Sequence, residues 1–195
     1  MKPIYFFLIK PKEERYSNTK KVGDKELILN TDIADHKFVS REAVVCETPV
    51  ARDTNIIKGD QLYVHHNIFR RWHDVKGIER NSKSYFQNDL YFCELEQIFL
   101  YKRNGLWKAT EGFSFVKPLV NEDKFSIENE KSLTGVIKYV DNTGSFKVNE
   151  KIGFTPFSEY EFVIEGERLY RVINKEISIR YGFKKTEREY NPSWL

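Results

Sequence analysis

Short apolar runs broken by charged and turn-forming residues recur along the whole chain. The first, Ile4-Tyr5-Phe6-Phe7-Leu8-Ile9, is stopped by Pro11, so residues 4–10 read as a strand. Residues 42–46 form another, and 47–55 turn around Pro49. Gly59-Asp60 is a turn signal, after which Gln61-Leu62-Tyr63-Val64 alternates with Leu62 and Val64 facing one side. Residues 89–93 and 97–101 are two more strands, Gly105 marks a turn, and Trp107 opens the next strand. Further on, 112–118, 133–140, 151–157, 160–164, 168–173 and 177–181 read as strands, with turns at Asn142-Thr143-Gly144 and Glu165-Gly166-Glu167. Residues 65–88 are an irregular, polar-aromatic excursion. No segment holds a helical period over three turns. The expected fold class is therefore all-β, and short twisted strands in this number close most readily into small barrels.

The pattern is stated twice. Ala43-Val44-Val45, Ile57-Lys58-Gly59-Asp60-Gln61-Leu62-Tyr63-Val64, Leu90-Tyr91 and Ile98-Phe99-Leu100 appear in order. They are followed by Gly135-Val136-Ile137, Val148-Asn149-Glu150-Lys151-Ile152-Gly153-Phe154, Leu169-Tyr170 and Ile177-Ser178-Ile179. Eight residues separate Leu90 from Ile98 and Leu169 from Ile177. Gly112 to Pro118 likewise repeats the first strand with its proline stop. Self-similarity of this kind implies two copies of one unit. The expected division is 1–105, 106–183 and a charged tail at 184–195.

Composition adjusts this picture only slightly. The chain has 195 residues, which suits two small domains, and 15 Phe with 11 Tyr favour strands. A net charge of +3 is too balanced to demand a nucleic-acid or membrane partner. The apolar run at the N-terminus is far shorter than a membrane span of about 20 residues. It lacks a small-residue cleavage site, so no signal peptide is expected and a cytoplasmic location is. Cys46 and Cys93 sit in apolar strand contexts and read as thiols rather than a disulfide.

Residues 11–26 are charged and polar and should be mobile. They lead to an isolated aliphatic triplet, Leu27-Ile28-Leu29, with polar residues directly after it. Three large aliphatic side chains in a solvated loop are costly unless something covers them. The alternative is that the triplet is a core strand of the first unit.

The duplicated order of Gly-x-Val strand, Gly-Asp turn, Leu-Tyr and closing Ile hairpin resembles the GroES-like co-chaperonin family, here as a tandem pair possessing features of its phage-encoded branch. Gln97-Ile98 and Glu176-Ile177 stand where the family has Asp-Ile, and Asn149-Glu150 replaces the Gly-Asp turn in the second copy. The resemblance implies two barrels, no enzymatic activity, no cofactor and no metal. It implies a homo-oligomeric ring that caps a chaperonin and encloses client proteins, in the bacterial host cytoplasm if phage-encoded. Glu26-Leu27-Ile28-Leu29-Asn30-Thr31 stands where the family carries its docking loop, which implies chaperonin contact by Leu27, Ile28 and Leu29, flanked by Glu26 and Thr31. The second copy has no such triplet between Pro118 and Gly135. From Gly59 to Leu90 is 31 residues, against 20 from Asn149 to Leu169, so the first copy carries 11 extra residues within His65 to Asn88. Phe69, Arg70, Trp72 and Tyr85 in that excursion are expected to line the cavity or touch a neighbouring subunit.

Other constellations are weaker. His65-His66 with His73 invites a metal, but no further ligand pair accompanies them, and neighbours on a strand point to opposite faces. Phe69-Arg70-Arg71-Trp72-His73 is a basic-aromatic cluster of the kind that grips single-stranded nucleic acid, although Asp74 follows directly. No nucleophile elbow or phosphate loop is present. Two other readings stay open: a virion structural or assembly module that does not bind a chaperonin, and a nucleic-acid-binding barrel.

Overall fold

The computed structural model of the chain describes residues 1–16, 19–23, 25–28, 38–123, 126, 128–183 and 188–192. It is built of antiparallel strands, and the contacts divide it into Met1–Leu106 and Trp107–Leu195. The first unit contains β1 (Phe7–Pro11), β2 (Thr19–Val22), β3 (Lys25–Ile28), β4 (Glu42–Glu47), β5 (Gln61–Val64), β6 (Arg71–His73), β7 (Glu79–Asn81), β8 (Tyr85–Gln87), β9 (Leu90–Cys93) and β10 (Ile98–Arg103). β11 (Leu106–Ala109) leads into β12 (Phe113–Val120), β13 (Glu130–Tyr139), β14 (Glu150–Phe154), β15 (Tyr160–Ile164), β16 (Glu167–Ile173) and β17 (Ile177–Phe183).

The hydrogen-bonded order of the first unit is β10-β5-β4-β1-β9-β8, with β11 added at the β10 end. That of the second is β17-β14-β13-β12-β16-β15. Position for position these are one topology, so the internal repeat of the sequence is a repeat of structure. Register agrees too. Ile9, Lys10 and Pro11 face Val45, Val44 and Ala43, while Val116, Lys117 and Pro118 face Ile137, Val136 and Gly135. Ile9 faces Tyr91 and Val116 faces Tyr170.

Two β-bulges are also duplicated. One falls between Leu8 and Ile9, and again between Phe115 and Val116. The other falls between Ile98 and Leu100, and again where Gly153 and Phe154 meet Ile179 and Ile177. A bulge inserts one residue, bends the strand and increases its twist. Its effect on the core of the first unit is direct. Phe7 and Ile9, Ala43 and Val45, Leu62 and Val64, and Tyr91 and Cys93 enter the core at a period of two. Ile98 and Tyr101 enter it three residues apart, because the bulge shifts the phase between them.

Closed barrels were expected from strand number. The pairing is open instead: the terminal strands of each order exchange no hydrogen bonds with one another among the described residues. Each sheet bends around its own apolar cluster, the second built on Val116, Ile137, Ile152, Phe154 and Val172.

The tight turn before β5 shows how different residues reach one geometry. Gly59 has φ +91° and Asn149 has φ +66°, a left-handed conformation that Gly and Asn tolerate best. Gly59 N donates to Val45 O (2.9 Å) and Asn149 N to Ile137 O (2.8 Å). The next residue, Asp60 or Glu150, is buried, and its carboxylate accepts from the backbone N–H three residues earlier, that of Ile57 (2.9 Å) or Lys147 (3.1 Å). Each carboxylate meets an arginine of the closing strand, Arg103 at 2.7 Å and Arg180 at 3.5 Å.

Candidate functional site

The first unit departs from the second in two insertions, and both candidate sites lie on them. The segment between β1 and β4 leaves and returns through a pinned stem. Tyr16 and Val39 form an isolated bridge, both are buried, and Ser40 N donates to Arg15 O at 3.0 Å. Beyond the stem, β2 and β3 form a hairpin about Gly23, with Lys21 opposite Glu26, Lys20 opposite Leu27 and Thr19 opposite Ile28. This hairpin is a sheet of its own. Glu26, Leu27 and Ile28 therefore lie on a strand that takes no part in the main sheet of the unit. Leu29 and Thr31 lie outside the described residues.

The second insertion follows β5. A short 3₁₀ turn at His66–Ile68 leads to the β6–β7 hairpin and then to β8, at the end of the main sheet. Asp74 builds the hairpin tip: one carboxylate oxygen accepts from Lys76 N (2.9 Å) and Ile78 N (3.0 Å), the other from Arg80 (3.0 Å). The bond from the Ile78 N–H, with those from Lys76 and Arg80, holds the Asp74 carboxyl below its ordinary value.

The two insertions are stapled together at their roots. Arg15, on the stem, donates through Nε to Phe69 O (2.5 Å), through Nη1 to Asn81 Oδ1 (2.6 Å) and through Nη2 to Arg70 O (3.3 Å). Its guanidinium also lies over the Tyr91 ring at 5.2 Å. In return Arg71 N donates to Tyr16 Oη (2.7 Å), and the Arg71 guanidinium lies over the Tyr16 ring at 4.5 Å. Burial lowers the affinity of the Arg15 side chain for its proton, and Arg71 nearby adds to this against the opposing influence of Tyr91 and Tyr16.

The residues expected to form a cavity or subunit surface separate. Phe69 is fully buried, edge-on to Tyr91 at 4.9 Å, and is a core residue rather than a surface one. Arg70 and Arg71 follow it in sequence, but the 3₁₀ turn carries its ring into the core. Arg70 is half-buried and Trp72 is 48% exposed, its indole N–H donating to Asn81 O at 3.3 Å. Tyr85 is exposed at its rim and packs edge-on to Tyr91 at 5.4 Å. Arg15 and Tyr16 carry no distinguishing signal in the sequence, and Tyr91 reads there only as half of the repeated Leu-Tyr pair. Arg15 reads there as one more charge in a solvated run.

His65 and His66 do not diverge as strand neighbours would. They stand at the start of the 3₁₀ turn with rings stacked at 4.4 Å, and His65 Nδ1 accepts from Asn67 N at 3.1 Å. Among the described residues no group of three His, Cys, Asp or Glu side chains is arranged to hold a metal ion. Cys46 and Cys93 are free thiols, and burial raises the Cys93 thiol well above its ordinary value. No described helix is long and apolar enough to cross a membrane.

The second unit offers a cleft of about 330 Å³ beside Tyr170, lined among others by Glu128, Glu130, Ser132, Glu159 and Arg168. Arg168 is held there by Glu130 (2.5 Å) and Glu161 (2.8 Å). Comparison with known proteins finds no family model that matches the chain and no match among curated proteins.

Proposed function

We propose that this protein is a co-chaperonin, a non-enzymatic lid of two GroES-like, barrel-like units that caps a chaperonin chamber and assists client folding. One observation carries the reading: an aliphatic strand, Leu27-Ile28, lies on a hairpin separate from the main sheet, beyond a stem pinned at Tyr16 and Val39, and the described residues of the otherwise equivalent second unit contain no counterpart. Leu27, Ile28 and Leu29 dock into an apolar groove of the ring, with Glu26 and Thr31 flanking them.

The energetics fit a reversible lid. Each buried aliphatic side chain contributes roughly 1.5–3 kcal/mol, and ordering a loop costs about 1–2 kcal/mol per residue. One loop therefore binds weakly, and several on a homo-oligomeric ring bind tightly through effective concentration. The β2–β3 pairing lowers the ordering cost by pre-forming the strand that docks.

The test is nucleotide-dependent co-migration of the full chain with a bacterial chaperonin, alongside the native mass of the free protein. Wild type is expected to co-migrate as an oligomer, and Leu27→Asp with Ile28→Asp to remain folded and oligomeric but fail to bind. Wild type that never co-migrates would remove the proposal and favour a structural module of an assembled particle.

A further inference from the structure

Residues 65–88 contain five basic and two acidic residues, so the excess of +3 carried by the whole chain resides in this one excursion. Both acids are consumed inside it. Glu79 pairs with Arg71 at 2.9 Å and Asp74 with Arg80 at 3.0 Å. Arg70, Lys76 and Lys83 have no carboxylate partner among the described residues, and Lys76 and Lys83 are exposed. The buried Nε atoms of Arg70 and Arg71 have no hydrogen-bond partner.

The same excursion exposes flat aromatic surface. Trp72 stands directly opposite Arg80 across the β6–β7 pair, so the two share one face of the hairpin. The other face carries Arg71, Glu79 and Asn81, which connect to Tyr16 and Arg15. Trp72, Tyr85 and Phe86 are 48%, 36% and 37% exposed. Tyr85 is braced by Tyr91 at 5.4 Å, whereas Phe86 packs on Phe92 at 5.0 Å on the opposite face of the sheet. Rigid, exposed rings among unneutralised cations are what a strand of unpaired bases requires: charge for the phosphates and ring faces for stacking. A duplex, with its bases already stacked, has no use for the rings.

We infer that the excursion of the first unit binds single-stranded nucleic acid, with Trp72 and Tyr85 as stacking surfaces and Arg70, Lys76 and Lys83 as phosphate contacts. This site is separate from the aliphatic hairpin and does not rest on the co-chaperonin reading.

The test is fluorescence anisotropy of the full chain with a labelled single-stranded oligonucleotide of about 15 nucleotides. Three released counterions give a slope of log K against log salt of about −2, a roughly twentyfold loss between about 50 and 200 mM salt. Trp72→Ala is expected to weaken binding about five- to hundredfold, and Trp72→Phe to restore most of it. Arg70→Gln with Lys76→Gln and Lys83→Gln should flatten the salt slope. Leu27→Asp with Ile28→Asp should bind the oligonucleotide as wild type does. A duplex of equal length should compete poorly, and poly-glutamate hardly at all. No anisotropy change at low salt, Trp72→Phe binding no better than Trp72→Ala, or equal competition by poly-glutamate or the duplex would overturn the inference.

Discussion

Tyr91 and Tyr170 stand at the same register position in the two units, opposite Ile9 and Val116. Their surroundings differ. Tyr91 is fully buried beneath Phe69, Arg15 and Tyr85, all brought in by or pinned to the insertions. Tyr170 is half-buried beside an open cleft, with the Arg168 guanidinium over its ring at 5.0 Å. One sheet topology thus supports a capped position and an open one. The main sheet supplies strand order, bulges and the carboxylate-braced turn to both units. The insertions, and so the candidate chemistry, belong to the first alone.

The largest expected effect tests whether the excursion is structurally committed to the first unit. Phe69→Ala removes a fully buried ring and should cost about 3–5 kcal/mol, read as a lower denaturant midpoint with loss of hydrogen-exchange protection at β6–β9. An unchanged midpoint would mean that the excursion is an appendage.

Next is a position where the repeat differs by a single methyl carbon. A Cβ on Gly135 would lie 2.3 Å from Val116 Cγ1 and 2.5 Å from Lys117 O, while Ala43 occupies the equivalent place and is fully buried. Gly135→Ala should destabilise the second unit by about 1–3 kcal/mol, and Ala43→Gly the first by about 0.5–1 kcal/mol. Equal costs would show that the two β1-type strands are spaced alike after all. Of comparable size, Asp60→Ala and Glu150→Ala should each cost about 1–3 kcal/mol by leaving a backbone N–H unpaired and removing an arginine's ion-pair partner. A large effect from only one would break the equivalence of the turns.

A pH titration sharpens the tyrosine comparison. Burial raises both hydroxyls above their ordinary value, and at Tyr170 the hydrogen bond to Glu130 and its negative charge raise it further. A raised value in the fold means that stability is fully present below the unfolded tyrosine value of about 10 and falls as pH rises beyond it toward the folded value. Thermal melts should therefore decline in alkali, and Tyr170→Phe should remove more of that decline than Tyr91→Phe. The smallest effect concerns the thiols: Cys46, partly exposed, should react in the native protein, and Cys93 only on unfolding.

Much of this fold is legible in the residues. Alternation in Gln61–Val64 and the equal spacing of Leu-Tyr to Ile place the strands and the repeat. The bulges are not legible, since an inserted residue such as Phe99 is itself apolar and does not interrupt the run. β6 and β7 are missed because short, exposed, charged strands carry no apolar period. Glu150 looks like a departure from Asp60, yet its longer side chain reaches the equivalent N–H. Phe69 looks superficial because it precedes two arginines, and only the stem shows what covers it. Of the residues proposed to dock, Leu27 and Ile28 lie on a two-stranded hairpin of their own, where the sequence reads either as a solvated loop or as a core strand.

On the proposed reading, the first unit makes the chaperonin contact and the second supports it. Nucleotide-dependent co-migration with a chaperonin tests this when two variants are compared: Leu27→Asp with Ile28→Asp in the first unit, and Phe157→Asp at a 98% exposed apolar residue of the second. Loss of binding is expected in the first variant and wild-type binding in the second. Binding that survives in the first variant or fails in the second would contradict that reading.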